Sequence, residues 1–131
     1  TLFEKTIQAF KNKDFELLQR IHHEDFMFVK EFSMSSRDKH LASIAEWLPN
    51  ANWQDHAQCI HEDDFVLIMR YPQTDDKGVS YLTSNVSIKH EDLYWRTMVK
   101  KDENPMRAKL IALTMTLATQ VETVAWIIIK Q

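Results

Sequence analysis

The fold is decided by residues 79–101, which read VSYLTSNVSIK-HED-LYWRTMVKK. Two segments rich in β-branched and aromatic residues flank a short polar turn, which is the pattern of a β-hairpin. Two similar segments precede them, at residues 53–60 and 65–71, and are joined by the polar turn HEDD at residues 61–64. Four consecutive strands linked by tight turns predict an antiparallel meander.

Three helices are predicted upstream of the meander. Apolar residues at helical spacing indicate a first helix over Leu2–Lys11. Asp14 is placed to cap a short second helix, because its side-chain oxygen can accept a hydrogen bond from the first helical turn. Ser35 or Ser36 can cap a third helix that ends near Leu48.

One further strand is predicted between the second and third helices. Residues 26–32 are aromatic and β-branched, with Phe26, Phe28 and Phe32 on one side, and residues 33–36 are predicted to form a loop. Helices that are segregated from a run of strands indicate an α+β domain. We therefore expect the helices to pack on one face of a curved antiparallel sheet.

The composition excludes several classes of function. With 131 residues, 44% of them hydrophobic and 27% charged, the chain has the size and composition of one globular domain. A net charge of −3 argues against a nucleic-acid-binding face. Cys59 is the single cysteine, so no cysteine-rich zinc site is expected. The single glycine, Gly78, excludes dinucleotide binding through a glycine-rich loop.

The first residues lack a long apolar core, so we expect no signal peptide and a cytoplasmic setting.

Residues 104–131 allow three interpretations. They open with an Asn-Pro pair that suits the start of a helix. Six apolar residues then lie on one helical stripe: Leu110, Leu113, Leu117, Val121, Val124 and Ile128. The alternation at residues 113–117 suits a strand instead, and the length of residues 110–129 suits a membrane span. Glu122 opposes the span, since a carboxylate there costs on the order of 3 kcal/mol. A helix is favoured, and membrane association is not expected.

The first hairpin brings together a candidate catalytic pair. If residues 62 and 63 form its turn, Asp55 lies opposite Arg70 on the inward face of the sheet. A carboxylate beside an apolar wall can act as a general base, and an arginine can hold an anion. Asp55 and Arg70 are therefore the candidate catalytic residues, and a structural ion pair at the end of the sheet is the alternative.

The second hairpin predicts which face of the sheet the helices cover. If Lys89 lies opposite Asp92, then Asn85 lies opposite Arg96 on a face that mixes aromatic rings with hydrogen-bonding groups. Such a mixture is typical of a pairing surface between subunits. We expect the helices to pack on the other face, which carries Leu82, Ser84, Val86, Ile88, Leu93, Trp95, Thr97 and Val99.

Metal binding is not expected from the one stretch that carries metal-ligand residue types. Residues 22–25 read His-His-Glu-Asp, but neighbouring side chains on a helix point about 100° apart. No third ligand follows at a useful spacing. We therefore expect neither a metal ion nor another cofactor.

Five stretches of the chain together resemble a known superfamily. They are FKNKDFELL at residues 10–18, HEDFMFV at 23–29, SRDKHL at 36–41, CIHEDDFV at 59–66 and LYWR at 93–96. In order and motif they are similar to the nuclear-transport-factor-2-like superfamily, in particular its SnoaL-like members. The resemblance implies a domain at residues 1–103, with residues 104–131 as an extension of it. It also implies a cone of curved sheet around an apolar pocket, and often a homodimer paired through the sheet.

The resemblance leaves the activity open, because the superfamily includes isomerases, cyclases, dehydratases, epoxide hydrolases and binding modules. Its catalytic members use a carboxylate or a His–Asp pair in the pocket, which implies Asp55 as proton acceptor with Arg70, His40 or a tyrosine as helper. Epoxide hydrolases of this kind carry acids after a Trp-Arg pair. Here Trp95 and Arg96 are followed by Thr-Met-Val-Lys, which argues against that activity.

Three functions are therefore expected in order of preference. The first is a protein that binds a small, mostly apolar molecule without a cofactor, and the second is an isomerase, cyclase or dehydratase that uses a pocket carboxylate. The third is a protein–protein interaction module. The candidate ligand contacts are His40, Trp47, Trp53, Tyr81 and Trp95.

Overall fold

The computed structural model describes residues 1–30 and 32–102, together with Leu117 and Gln120. The interpretations of residues 104–131 as helix, strand or membrane span lie outside the described residues, apart from those two positions. The division into a domain and an extension stays a prediction for the same reason. Within the described part, no helix is both long enough and apolar enough to cross a membrane.

Three helices form close to the predicted positions. Their bounds are Leu2–Lys11 for α1, Phe15–Arg20 for α2 and Arg37–Trp47 for α3. Thr1 caps α1 by accepting a hydrogen bond from the Glu4 backbone N–H at 3.1 Å. Asp14 caps α2 by accepting one from Leu17 at 3.0 Å. A short 3-10 helix, Leu48–Asn50, continues the chain after α3. The predictions of all three helices are confirmed.

Six strands form one curved, unclosed sheet. Their bounds are His22–Lys30 for β1, Ser33–Ser36 for β2, Gln58–Glu62 for β3, Val66–Thr74 for β4, Ser80–His90 for β5 and Leu93–Asp102 for β6. The spatial order is β2-β1-β6-β5-β4-β3. The last four strands are neighbours in chain order, so the predicted meander and the α+β class are confirmed.

The region around β1 and β2 differs from the prediction in three ways. Residues 33–36 are not a loop but the edge strand β2, which pairs antiparallel with β1 and sets Phe28 opposite Ser35. The pairing of β1 with β6 is parallel, with Phe28 beside Thr97, so the sheet is mixed rather than antiparallel. Phe32 lies beyond the end of β1 and is 93% exposed, so it does not share the buried side with Phe26.

The predicted strand at residues 53–60 is largely replaced by other structure. Trp53–His56 form a 3-10 helix, and β3 begins only at Gln58. Arg70 consequently lies opposite Gln58, and the predicted pairing of Asp55 with Arg70 is wrong. A one-residue bulge farther along β3 shifts the register again, which a count from the turn cannot anticipate.

The inner face of β4 and β5 is the opposite of the predicted one. The buried residues there are Leu67, Met69 and Tyr71 on β4, and Thr83, Asn85 and Ser87 on β5. On β4, both alternate sets of side chains are apolar, so the pattern cannot decide which set faces the core. On β5, the mainly polar set faces inward, against the usual rule that the more apolar face is buried.

A bulge in β6 changes which residues of that strand face inward. Ile88 lies opposite Arg96, but Lys89 lies opposite Tyr94, so one extra residue sits between these pairs. Tyr94 is therefore buried on the inner face together with Thr97, although an unbroken strand would place the two on opposite faces. Asn85 lies opposite Val99 rather than the predicted Arg96.

One hydrophobic core joins all three helices to the inner face of the sheet. Its helical members include Leu2, Ala9, Phe10, Leu18, Leu41 and Ile44, and its strand members include Phe26, Leu67, Met69, Tyr71 and Tyr94. The outer face remains partly exposed within the described residues, as Met98 shows with 44% of its surface accessible. Any site enclosed by the fold therefore lies between the helices and the inner face.

Candidate functional site

A cavity of about 210 Å³ lies between the inner face of the sheet and the helices. Strands β4, β5 and β6 form its floor, while α1, α3 and the 3-10 helix at Trp53–His56 form its walls. It occupies the place in which the resemblance predicts a pocket. Its lining divides into an aromatic wall, a polar row, two histidines and two lysines.

The aromatic wall is centred on Phe10 of α1. The Phe10 ring stacks on Trp47 with 5.5 Å between centroids and meets Trp53 edge-on at 4.7 Å. Trp53 in turn lies 4.5 Å from the Tyr71 ring. Offset-stacked and edge-on contacts of this kind are favourable for aromatic pairs. The wall therefore offers a flat apolar surface whose rings hold one another in place.

The polar row consists of hydrogen-bonded side chains on the inner face of the sheet, of which Tyr71, Asn85 and Thr97 line the cavity. Ser87 Oγ donates to Asn85 Oδ1 at 2.9 Å, so Thr97 Oγ1 must donate to Ser87 Oγ, 2.8 Å away. The Asn85 side chain also hydrogen-bonds the Tyr71 hydroxyl. Burial raises the pKa of Tyr71 to about 12, so its hydroxyl is neutral at pH 7. The row satisfies its buried polar atoms and presents Asn85 and Tyr71 to the cavity.

Two uncharged histidines face each other beside the cavity. His22 Nδ1 donates to the Leu18 carbonyl at 2.6 Å, and burial lowers the pKa of His22 to about 4. His40 stacks on Phe28 at 4.3 Å between centroids. Burial, followed by electrostatic interactions with His22 and Lys30, lowers the pKa of His40 to about 3. Both rings are therefore neutral at pH 7, and His22 keeps Nε2 as an acceptor.

A hydrogen bond between α1 and β6 fixes one wall of the cavity to its floor. Thr6 Oγ1 donates to the Leu2 carbonyl at 2.7 Å, so the Tyr94 hydroxyl is the donor in its 2.6 Å bond to Thr6 Oγ1. Burial raises the pKa of Tyr94, which keeps this hydroxyl protonated. Tyr94 therefore acts as a structural tie between helix and sheet.

The charged side chains among the described residues that line the cavity are all positive. None of the described residues that line it is an aspartate or a glutamate. Two lysines do line it, Lys30 at the end of β1 and Lys101 near the end of β6, and both are exposed. The cavity thus has a neutral interior and a positively charged opening.

The structure does not bring the predicted catalytic residues together. Asp55 is exposed in the 3-10 helix, and Arg70 is exposed on the outer face of β4. Neither residue is among those that line the cavity. The physical reason is that the chain at residues 53–56 is helical, so the register counted back from the turn does not apply there.

Three of the five predicted ligand contacts line the cavity, namely His40, Trp47 and Trp53. The other two lie elsewhere. The Tyr81 hydroxyl donates to Asp75 Oδ2 at 2.8 Å. Trp95 packs against the Arg96 guanidinium, 3.9 Å from the ring centroid.

Sequence reasoning missed the polar half of the lining. The sequence pattern predicts different faces for Asn85 and Thr97, because the β6 bulge leaves no mark in the hydrophobic pattern. The residue types at positions 22–25 point to His22 only as a possible metal ligand. A signal for its role was available, since His22 follows Leu18 by four residues at the end of α2, the spacing of a helical contact.

One cluster outside the cavity has the composition of a metal site but not its chemistry. His23 Nε2 lies 3.3 Å from His90 Nδ1 and 3.8 Å from Glu91 Oε2. The Asp25 backbone N–H donates to His23 Nδ1 at 3.0 Å, so in the neutral ring the proton is on Nε2. A metal on Nε2 would require a protonated Nδ1, which would face that N–H. The cluster is accounted for by hydrogen bonds.

No protein-family model and no curated protein matches the sequence. Solved structures with a similar fold do exist. An NTF2-like protein of unknown function from Cytophaga hutchinsonii superposes with a TM-score of 0.59 at 13% identity, covering 80% of this chain and 90% of that one.

Two further structures have names that state an activity. An LEH-like epoxide hydrolase of M. tuberculosis gives a TM-score of 0.59 at 12% identity, covering 90% of this chain and 93% of that one. A putative polyketide cyclase from Sinorhizobium meliloti gives 0.54 at 12% identity, covering 76% and 93%. At such low sequence identity, the structural similarity is evidence for a shared fold alone. The chain has the NTF2-like fold, and the predicted resemblance is confirmed at that level.

Proposed function

We propose that the cavity binds a small, mostly apolar molecule. The observation that carries this proposal is the inversion on β5, where Thr83 and Asn85 are buried toward the cavity while Val86 and Ile88 face outward. Burying polar side chains is costly unless they are hydrogen-bonded. A floor that places hydrogen-bonding groups opposite an aromatic wall is the usual composition of a ligand site.

The size of the cavity supports a small ligand. Its volume of about 210 Å³ lies below the range of roughly 300–1,000 Å³ found for drug-sized ligands. The stacked Phe10 and Trp47 rings favour a flat, ring-containing molecule. Asn85 and Tyr71 can hydrogen-bond one polar group on it.

The experiment is native mass spectrometry of the purified chain, followed by calorimetric titration with 2-naphthol, a flat molecule with one hydroxyl. We expect a retained small molecule or measurable 2-naphthol binding, and about tenfold weaker binding after Asn85→Leu. The matched control is Ser84→Leu, since Ser84 immediately precedes Asn85 on β5 but points to the outer face. No retained molecule and no binding, or equal loss in both variants, would overturn the proposal.

An enzyme is a second candidate, favoured by the two neutral histidines. A proton-transferring isomerase, cyclase or dehydratase needs a base in its pocket. No carboxylate is present among the described lining residues, so His22 or His40 would take that role in place of Asp55. The names of the M. tuberculosis and S. meliloti structures place enzymes on this fold. If the chain converts the retained small molecule, loss of that conversion in His40→Gln, with 2-naphthol binding retained, would separate this function from binding alone.

We propose that two copies of the chain pair through the outer face of the sheet. A row of apolar residues crosses five strands there, each residue opposite the next: Ile68, Val86, Met98, Val29 and Met34. Met34 and Met98 are 65% and 44% exposed. Methionine is enriched at the centre of protein interfaces, and a face of this kind is self-complementary about a two-fold axis.

Light scattering during gel filtration tests the pairing. The full chain should elute as a dimer, and Met98→Glu should elute as a monomer with an unchanged circular dichroism spectrum. Phe65→Glu is the matched control, because Phe65 is 73% exposed but lies at the turn before β4 rather than in the row. A monomeric parent chain, or dissociation by Phe65→Glu alone, would contradict the proposal.

We also propose that the protein works in the cytoplasm. Cys59 is a free, exposed thiol. Partial desolvation of its sulfur and the nearby Glu62 raise the pKa of the Cys59 thiol, which keeps it in the less reactive protonated form. An exposed unpaired thiol suits a reducing compartment. Fractionation of the cells that make the protein tests this proposal: recovery with a cytoplasmic marker is expected, and recovery with a marker of an oxidising compartment would contradict it.

A further inference from the structure

We propose that the ligand carries a carboxylate, which Lys30 and Lys101 bind at the opening of the cavity while the apolar body lies on the aromatic wall. This inference rests on the proposed function and names the chemical class of the ligand. It follows from the position of the two lysines, their lack of acidic partners among the described residues and the neutrality of the interior.

The two lysines lie at the same edge of the cavity. Val29 pairs with Met98 in the parallel β1–β6 ladder, so Lys30 lies beside Val99, two residues before Lys101 on β6. With strands about 4.8 Å apart and residues about 3.3 Å apart, the two Cα atoms are roughly 8 Å from each other. Lysine side chains are long enough to converge on one carboxylate from that separation.

Neither ammonium group is neutralised by a described acid. The salt bridges of the described residues involve other cations, whereas the Lys30 Nζ lies 5.7 Å from the Phe28 ring and the Lys101 Nζ lies 5.5 Å from the Tyr81 ring. Aromatic rings attract a cation without cancelling its charge. Among the described residues, the opening therefore presents two positive charges, in a chain whose net charge is −3.

The positive charge of Lys30 also acts on His40 inside the cavity. It contributes to the lowered pKa of His40, behind burial and the effect of His22. The interior groups among the described lining residues are neutral, and they include two uncharged histidines, a protonated tyrosine and an amide. An anionic group is therefore favoured at the opening, and a neutral ring is favoured inside.

The orientation follows from these two preferences. A flat ring stacks against Trp47 and Phe10 within the cavity, and a carboxylate on that ring points toward Lys30 and Lys101. A cationic ligand meets repulsion at the opening, and a neutral one gains nothing from it. Selection between acids and neutral analogues of the same shape is thus expected to depend on the lysines alone.

The test compares 2-naphthoic acid with 2-naphthamide, which has the same shape but no charge, by calorimetric titration of the full chain at pH 7 and low salt. We expect the acid to bind at least tenfold more tightly, and the preference to fall below about threefold in the Lys30→Gln/Lys101→Gln double variant. The preference should also shrink at high salt, since the lysines are exposed.

The control is the Lys39→Gln/Lys77→Gln double variant, which removes the same net charge from exposed positions that do not line the cavity. It should keep the preference for the acid. Equal binding of acid and amide, or an equal loss of preference in both double variants, overturns this inference while leaving the proposed function intact. Failure of both compounds to bind overturns the two together.

Discussion

The Lys89 ammonium lies 2.7 Å from Glu62 Oε2, and both side chains are almost fully shielded, with 6% and 10% of their surfaces exposed. Glu62 also accepts hydrogen bonds from the backbone N–H groups of Leu2 at 2.9 Å and Phe3 at 3.2 Å. Burial alone would raise the pKa of Glu62, but the hydrogen bonds from Lys89, Phe3 and Leu2 lower it below its ordinary value. One carboxylate therefore links α1, β3 and β5.

Replacing Glu62 with Gln should destabilise the fold substantially. The change leaves the Lys89 ammonium buried without its counter-charge, which typically costs about 3–5 kcal/mol. Urea unfolding at pH 7 measures the loss. Glu16→Gln is the control, because Glu16 meets Arg20 at 3.9 Å in a solvent-exposed pair and should change stability by less than about 0.5 kcal/mol. A similar small effect for Glu62→Gln would refute the buried ion pair.

Stability should fall as the solution is acidified from pH 6.5 to pH 4. His22 has a pKa of about 4 in the folded chain, against 6.5 for an ordinary histidine, so in this window the unfolded state binds the extra proton. The free energy of unfolding therefore decreases with falling pH, by roughly 3 kcal/mol for His22 at 1.36 kcal/mol per pKa unit.

His40 should add to this acid sensitivity, since its pKa of about 3 lies lower still. Urea titrations at half-unit pH steps measure the slope, and His40→Leu should flatten it. His56→Gln serves as the control for substituting a histidine, because His56 is exposed. A stability that stays constant between pH 6.5 and 4 would show that the two rings are not buried as described.

Removing the Tyr94 hydroxyl should weaken the link between α1 and β6. Tyr94→Phe deletes the 2.6 Å hydrogen bond to Thr6 but keeps the aromatic packing, so a loss of about 1 kcal/mol is expected. Thermal unfolding provides the measurement. Tyr81→Phe is a matched control at a less buried position, where the hydroxyl bonds Asp75. An unchanged melting temperature for Tyr94→Phe would contradict a structural role for this bond.

Asp55 and Arg70 should behave independently of each other. Both are exposed and Arg70 lies opposite Gln58, so Asp55→Asn and Arg70→Gln should each change stability by less than about 0.5 kcal/mol. A double-mutant cycle measures the coupling between them, which should be near zero. A coupling energy of 1 kcal/mol or more would restore the ion pair that the sequence suggested.

The helices and the second hairpin could be predicted because their signals are local. Leu2–Lys11 has apolar residues at helical spacing, so the helix can be predicted from its own ten residues. The turn between β5 and β6 is likewise signalled by residues that are close together in sequence. His40 and Trp47 line the cavity from α3, whose position follows from local periodicity, whereas Trp53 lines it from a 3-10 helix where the sequence predicts a strand.

The inner face of the sheet could not be predicted, because three features of it leave no trace in the pattern. The apolar run at residues 65–71 fits either orientation. The bulges in β3 and β6 each insert one residue, which reverses the direction of every side chain beyond it. The buried row through Ser87 and Asn85 is polar, so a rule based on hydrophobicity assigns it to solvent.

The parallel ladder between β1 and β6 joins two segments that the ribosome synthesises several seconds apart. Arg96 Nη1 donates to the Asp25 carbonyl across 71 positions. At usual ribosomal speeds of about 5–20 residues per second, roughly 4–14 s pass between the synthesis of these two partners. During that interval the nascent β1 has an open edge beside Phe26 and Phe28, and it is competent for aberrant association. Because β1 pairs with β6, the described sheet is complete only after β6 has been synthesised, and until then the open edge of β1 is the part of it that a chaperone would need to shield.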